Sequence, residues 1–227
     1  MATKGMQNHR NQSETTRRMV MTAMFSAITA LLAFTPIGMI QLPPPLPAVT
    51  LVHIPVILAA VVESAAVGVA VGAVFGVCSL IRAWGSGMVG LTLFFRNPLV
   101  SVFPRMLIPL TALLVYTLWK KGVRQNPVTA KIGVAAAAAV GAVTNTVVCL
   151  GMVLLLYGQD LNELIRGMVT AGSAEAAYAE NAAAWLVAVV GLPNGIAEAC
   201  VAAVLVPVLK IAVDAVQKRT GRKNRPV

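Results

Sequence analysis

This chain is poor in charge. Only 11% of its 227 residues are Asp, Glu, Lys or Arg, while 58% are hydrophobic. A soluble domain of this length needs more charge to cover its surface. With two histidines, His9 and His53, no His-Glu-x-x-His or similar metal site can be assembled. Three cysteines, Cys78, Cys149 and Cys200, lie dispersed in separate apolar runs, which argues against a disulfide framework. There is neither a Gly-x-Ser-x-Gly elbow nor a Gly-rich phosphate loop ending in Gly-Lys-Ser/Thr. These absences speak against an enzyme and against hydrolysis of ATP by this chain itself, and no cofactor or metal is expected.

What is present is apolar sequence in runs long enough to cross a bilayer, about 20 residues each. The first sixteen residues are polar, and the apolar run after Arg17-Arg18 is too long for the core of a cleavable signal. The reading is an all-α integral membrane protein of six spans, a compact bundle occupying 17–213, between a polar tail at 1–16 and a basic tail at 214–227. The spans fall at about 19–39, 49–62, 65–81, 100–119, 132–157 and 182–213. The stretch from Val49 to Ile81 would be about 50 Å long as one helix, against a hydrocarbon core of about 30 Å. Glu63, beside Ser64, is the one acidic residue inside it, so the break is placed there, with Glu63 a solvated connection.

The cations sort by side. With the N-terminus inside, fourteen face the cytoplasm: Lys4, Arg10, Arg17, Arg18, Lys120, Lys121, Arg124, Lys131, Lys210, Lys218, Arg219, Arg222, Lys223 and Arg225. Four face outward: Arg82, Arg96, Arg105 and Arg166. That bias puts both termini in the cytoplasm and explains the net charge of +10 without a nucleic-acid partner.

Small residues recur at helical spacing. Gly68, Gly72 and Gly76 share one face of the third span, and Ala23, Ala27 and Ala30 make a smooth stripe on the first. Each stripe suits close packing inside the bundle; the alanine stripe equally suits docking of another protein.

Polar groups inside the membrane cost several kcal/mol unless they face a partner or a cavity. Asn194 and Glu198 are four apart, on one helical face just after Pro193, at about mid-bilayer depth; Asn145 on the fifth span reaches a similar depth. They form either a structural clamp or a ligand-contacting layer. Above them, His53, Arg82, Arg96 with Asn97, and Arg105 would line an outer vestibule suited to a small anionic solute. The competing reading has the arginines snorkelling to lipid headgroups and the histidine packed structurally. Trp84 and Trp185 are the tryptophans placed to stack on a ligand.

In order, these features resemble a family: small residues on the first span, a Pro-rich loop, Thr50-x-x-His53-Ile54-Pro55-Val56-Ile57, a glycine-rich third span with Phe75-Gly76, and Pro193-Asn194-Gly195-Ile196-x-Glu198-Ala199 before a second proline. Together they resemble the substrate-binding S components of energy-coupling factor (ECF) vitamin transporters, over about residues 17–213. The resemblance implies a multi-pass protein of a bacterial-type plasma membrane. It would bind a water-soluble vitamin and work with a membrane T component and two cytoplasmic ATPases. It also implies a docking surface at Ala23, Ala27 and Ala30, and a gating loop of Gln41, Pro43, Pro44, Pro45, Pro47 and Thr50. Proline fixes φ, so that loop would be a stiff, extended lid. Two departures stand out: Glu63-Ser64 replaces a Gly-Pro turn common among relatives, and the polar stretch 158–181 reads as an extra external helix or lid.

The expected function is therefore high-affinity capture of a vitamin, with pantothenate the first candidate, its carboxylate pairing with Arg96 or Arg105. The alternative is a stand-alone small-solute channel or secondary transporter, in which Glu198 would couple ions.

Overall fold

A computed structural model describes residues 2–40, 49–85, 90–124, 126–168 and 181–219. Among them, five helical stretches are long and apolar enough to cross a membrane, and a sixth, shorter apolar helix covers His53–Val62. The protein is an all-α membrane bundle.

The first helix, α1, spans Ala2–Phe34, continuous through the expected polar tail into the apolar run. It stops before Pro36: Thr35, preceding the proline, is extended at φ −113° and ψ 153°, as the proline ring demands of its predecessor. A 3₁₀ turn, Pro36–Gly38, leads into strand β1, Met39–Ile40. Glycine is required at 38, because a methyl group there would overlap the Leu32 carbonyl. Strand β2, Val49–Thr50, pairs antiparallel with β1, Met39 opposite Thr50.

Helix α2 is His53–Val62 and helix α3 is Ala65–Gly85, so the chain breaks at Glu63-Ser64 as its one acidic residue suggested. Ser64 Oγ accepts from the Val67 N–H and caps α3. Glu63 is not a solvated connection. Its side chain is 5% exposed and is held by the Arg17 guanidinium of α1 at 2.5 Å. At ten residues, α2 reaches about 15 Å, half a membrane. Every residue from His53 to Val61 is buried, as expected of a helix apolar all round its circumference. It is the bundle's centre.

A 3₁₀ segment, Gly90–Arg96, and a short helix α4, Pro98–Ser101, lead into α5, Phe103–Gly122. The glycine stripe of α3 works inside the chain. Side chains at Gly68, Gly72 and Gly76 would meet, in turn, Pro109 and Ala60, the backbone of Arg105, and that of Val102. Helix α6 is Pro127–Met168, interrupted at Tyr157, whose φ −133° and ψ 25° are not helical. The expected fifth span thus ends where the helix breaks, and 158–168 form the extra helical segment; 169–180 lie outside the described residues.

The last span is a short helix α7, Ala182–Trp185, a π-helical stretch Leu186–Gly191, and α8, Leu192–Arg219. Pro193 accounts for the π stretch. It offers no N–H, and its ring would crowd the carbonyl one turn back. The helix widens instead, with the Leu192 N–H donating to Val187 O, five residues earlier.

Two apolar cores result. The larger joins α1, α2, α3, α5, α6 and α8 around Val56, Ile57, Val71 and Ile108. The smaller joins Val100, Val153, Leu161, Ile165, Trp185 and Leu186, with partly buried Phe94 and Phe95 packed on it. The candidate site touches both.

Candidate substrate cavity

A cavity of about 230 Å³ is bounded by α3, α5, α6, α8, the strand pair and the Gly90–Arg96 segment. Its floor is polar. Glu198, 1% exposed, lines it together with Asn194 and Thr146. Oε1 of Glu198 accepts from the Thr50 backbone N–H at 3.1 Å and from Asn194 Nδ2 at 3.4 Å; Oε2 accepts from the Thr146 hydroxyl at 3.5 Å. Asn194 reaches Glu198 because four residues make one helical turn. These three donors offset part of the desolvation that a carboxylate suffers in a membrane interior. Asn145 also lines the cavity, and the side-chain oxygens of Asn145 and Asn194 are buried without a partner among the described residues.

Two guanidinium groups face the same space. Arg105, 6% exposed, donates through Nη1 to Val100 O at 2.7 Å and contacts Cys149 Sγ. It lies 5.4 Å from the Phe75 ring centroid and 5.2 Å from that of Phe95, a cation between two aromatic faces. Its Nε is buried and has no partner among the described residues. The close approach permitted by Gly72 sets the Arg105 backbone against α3. Arg82, in the last turn of α3, donates through Nη1 to Ala33 O at 2.8 Å and to Met39 Sδ at 3.3 Å.

The cavity therefore gathers Arg82, Arg105, Asn145, Asn194, Glu198 and Thr50 from the residues anticipated in the sequence. Five others lie elsewhere, of which Trp185 is buried in the smaller core. Arg96 turns back on the end of α3, its Nε donating to Ala83 O at 3.0 Å, because the last turn of a helix leaves carbonyls without internal partners. Its guanidinium sits 5.3 Å over Trp84, which is 65% exposed. Asn97 caps α4 through Leu99 N and donates from Nδ2 to the Tyr157 hydroxyl at 2.9 Å, bracing the break in α6. His53 is fully buried as the first residue of α2, outside the cavity lining.

Thr50, expected in a loop, stands in β2 with its N–H on Glu198. Gln41, Pro43, Pro44, Pro45 and Pro47 lie outside the described residues. On α1, Ala23 and Ala27 are exposed while Ala30 is half-buried against the main core; Phe25, Thr29 and Ala33 face inward. Sequence reasoning missed Phe75, Phe95, Thr146 and Cys149. The last two had a signal, since Thr146 adjoins Asn145 and Cys149 lies one turn on.

A helical membrane bundle holding a cavity with apolar walls, a polar floor and charged side chains beside it has the build of a solute-binding membrane protein. Residues 17–210 match the family model of the ECF transporter, substrate-specific component, and the chain belongs to that family. It is the substrate-specific subunit of an ECF transporter, a multi-pass protein of the plasma membrane. No curated protein matches the chain.

Proposed function

We propose that this chain captures a small, carboxylate-bearing, water-soluble vitamin, with pantothenate the first candidate, for import by a T component and two cytoplasmic ATPases. One observation carries the reading. Two guanidinium groups and two asparagine oxygens without partners among the described residues line one cavity in a chain otherwise poor in charge. The carboxylate would sit against Arg82 and Arg105, near Phe75 and Phe95. Amide and hydroxyl groups, which pantothenate also carries, would donate to Asn145, Asn194 and Glu198. At about 230 Å³ the cavity is smaller than the roughly 300–1,000 Å³ of drug-sized sites, which favours a compact solute over a flavin or a folate. Arg105 takes the pairing role earlier shared with Arg96, which is occupied on α3.

The cation bias supports cytoplasmic termini for the 1–16 and 214–227 tails and an outward mouth for the cavity. The exposed face of α1 at Ala23 and Ala27, beside Val20, Met24 and Leu31, supports docking of the T component there.

The test is thermal unfolding of the detergent-purified chain across a vitamin panel. A ligand confined to the folded state stabilises it by about 2.7 kcal/mol at a hundred times its Kd. Pantothenate or another small carboxylate is expected to shift the transition. A shift with cationic vitamins alone, or solute uptake by this chain alone in liposomes, overturns the reading.

A further inference from the structure

Pro104 and Arg105 are neighbours in the first turn of α5, and the first supplies a partner for the second. A helical carbonyl is normally taken by the N–H four residues on, but Pro104 has none to offer Val100 O. Val100 is fully buried, so its carbonyl needs another donor. It accepts from Arg105 Nη1 at 2.7 Å and from the Cys149 thiol of α6 at 3.6 Å. The Cys149 sulfur in turn accepts from the same Nη1. Nη1 carries two N–H groups, and these two acceptors use both. The rest of the guanidinium is open. Nε is buried without a partner among the described residues, and neither bond that Arg105 makes there involves Nη2. With the Phe75 and Phe95 rings against the group, a ligand meets it edge-on. Arg105 and Cys149 both line the cavity.

We propose, resting on the cavity as the solute site, that Val100 O and the Cys149 sulfur clamp Nη1, so that Arg105 meets a solute carboxylate side-on through Nε and Nη2. Cys149 is thus a positioning residue that sets specificity through Arg105. A guanidinium presents parallel N–H pairs along its side and along its end. The end pair needs Nη1, which is engaged; the side pair remains. Two parallel bonds call for two acceptor oxygens on one carbon. A carboxylate has them, whereas an amide or an alcohol brings one oxygen and no charge. The clamp therefore selects carboxylates by geometry as well as by charge. A lysine at 105 would keep the charge and lose the edge.

The deciding experiment is nitrogen-15 NMR of the arginine side chains in the detergent-purified full chain, with Arg105 assigned through Arg105→Lys. Rotation of a free guanidinium averages its two Nη signals; an anchored Nη1 keeps them apart. Without any solute, Arg105 is expected to show two Nη signals, and Cys149→Ala is expected to merge them. Cys149→Ser, which keeps a small acceptor in place, is expected to hold them apart and guards against misfolding of the alanine variant. Titration with propanoate is expected to move the Arg105 Nε–H signal saturably and to leave Nη1 in place; propanamide is expected to move neither. The anchoring bond involves a charged group, so its loss in Cys149→Ala is expected to weaken propanoate binding by about tenfold. Two Nη signals persisting in folded Cys149→Ala overturn the clamp, as does a propanoate shift carried by Nη1. Absence of any propanoate shift overturns side-on capture even where the vitamin panel finds a ligand. Merging signals and an Nε shift beside a silent panel uphold the clamp and fault the vitamin assignment alone.

Discussion

Arg105 shows what a single side chain does in this setting. It is a buried cation whose observed contacts include a carbonyl, a thiol and two aromatic rings, with no carboxylate within ion-pair distance among the described residues. Such an arrangement favours a bound anion more than it favours the empty fold, since burying a charge costs more than a neutral polar contact returns. Replacing it by a shape-mimicking apolar residue separates the two roles. If the proposed carboxylate solute binds there, Arg105→Met is expected to weaken its binding by about a hundredfold or more while the unliganded melting temperature stays level or rises. Titration calorimetry and a thermal melt on one preparation read both. A melting temperature that drops with binding intact would show Arg105 to be structural. At this scale the sequence was informative where spacing decides the outcome: Asn194 and Glu198, four apart, meet as expected. It was mute on the arginines. Arg82, Arg96 and Arg105 have the same reach and similar surroundings in the sequence. Which of them faces the cavity depends on which carbonyl the fold leaves open nearby, and for Arg96 that carbonyl is Ala83.

Among elements, the join between α1 and the α2–α3 turn carries the clearest energetic consequence. Glu63 is almost fully enclosed, with Arg17 its one ion-pair partner among the described residues, and Arg17 is a third exposed. Removing the cation leaves an enclosed carboxylate unpaired. A fully buried pair would lose 3–5 kcal/mol; with Arg17 partly in solvent, about 1–3 kcal/mol is expected of Arg17→Ala. The double variant Arg17→Met, Glu63→Gln should recover most of it, and a double-mutant cycle by denaturant or thermal unfolding checks both. The element boundaries show why some of the fold was readable and some not. An acidic residue in a 33-residue apolar run marked the end of α2, and Pro193 marked the distortion of the last span. The break at Tyr157 carries no proline. It falls where the apolar run gives way to the polar stretch that starts at Gly158, as expected; what the one-dimensional pattern does not display is the bracing around it, the Asn97 bond to its hydroxyl and the stacking of Phe94 at 4.9 Å.

For the whole molecule, the exposed stripe of α1 and the cavity lie on different surfaces of the same helix: Ala33 lines the cavity, and Ala27 does not. On the proposed assignment of these two surfaces, binding and assembly are separable. Ala27→Trp is expected to leave solute affinity unchanged within about twofold, being a surface change away from the site. It should abolish co-purification with a T component, because a large ring prevents close helix approach. Loss of both properties together would show the stripe to be part of the bundle's own packing. The membrane class was legible from composition alone, since no soluble arrangement covers so much apolar surface. The centrality of α2 was not, because a ten-residue apolar segment reads alike as half a span or as part of a longer one.

That short helix has a consequence for direction of travel. The lining of the cavity reaches Val52 and stops; His53–Val62 contributes nothing to it and fills the bundle beneath with close-packed aliphatic side chains. Among the described residues the cavity is a cup with a solid base, not a tube with two doors. Under the proposed import, a cup of this shape would deliver its contents on the other side only by being turned over, with the work of turning supplied by whatever grips its wall.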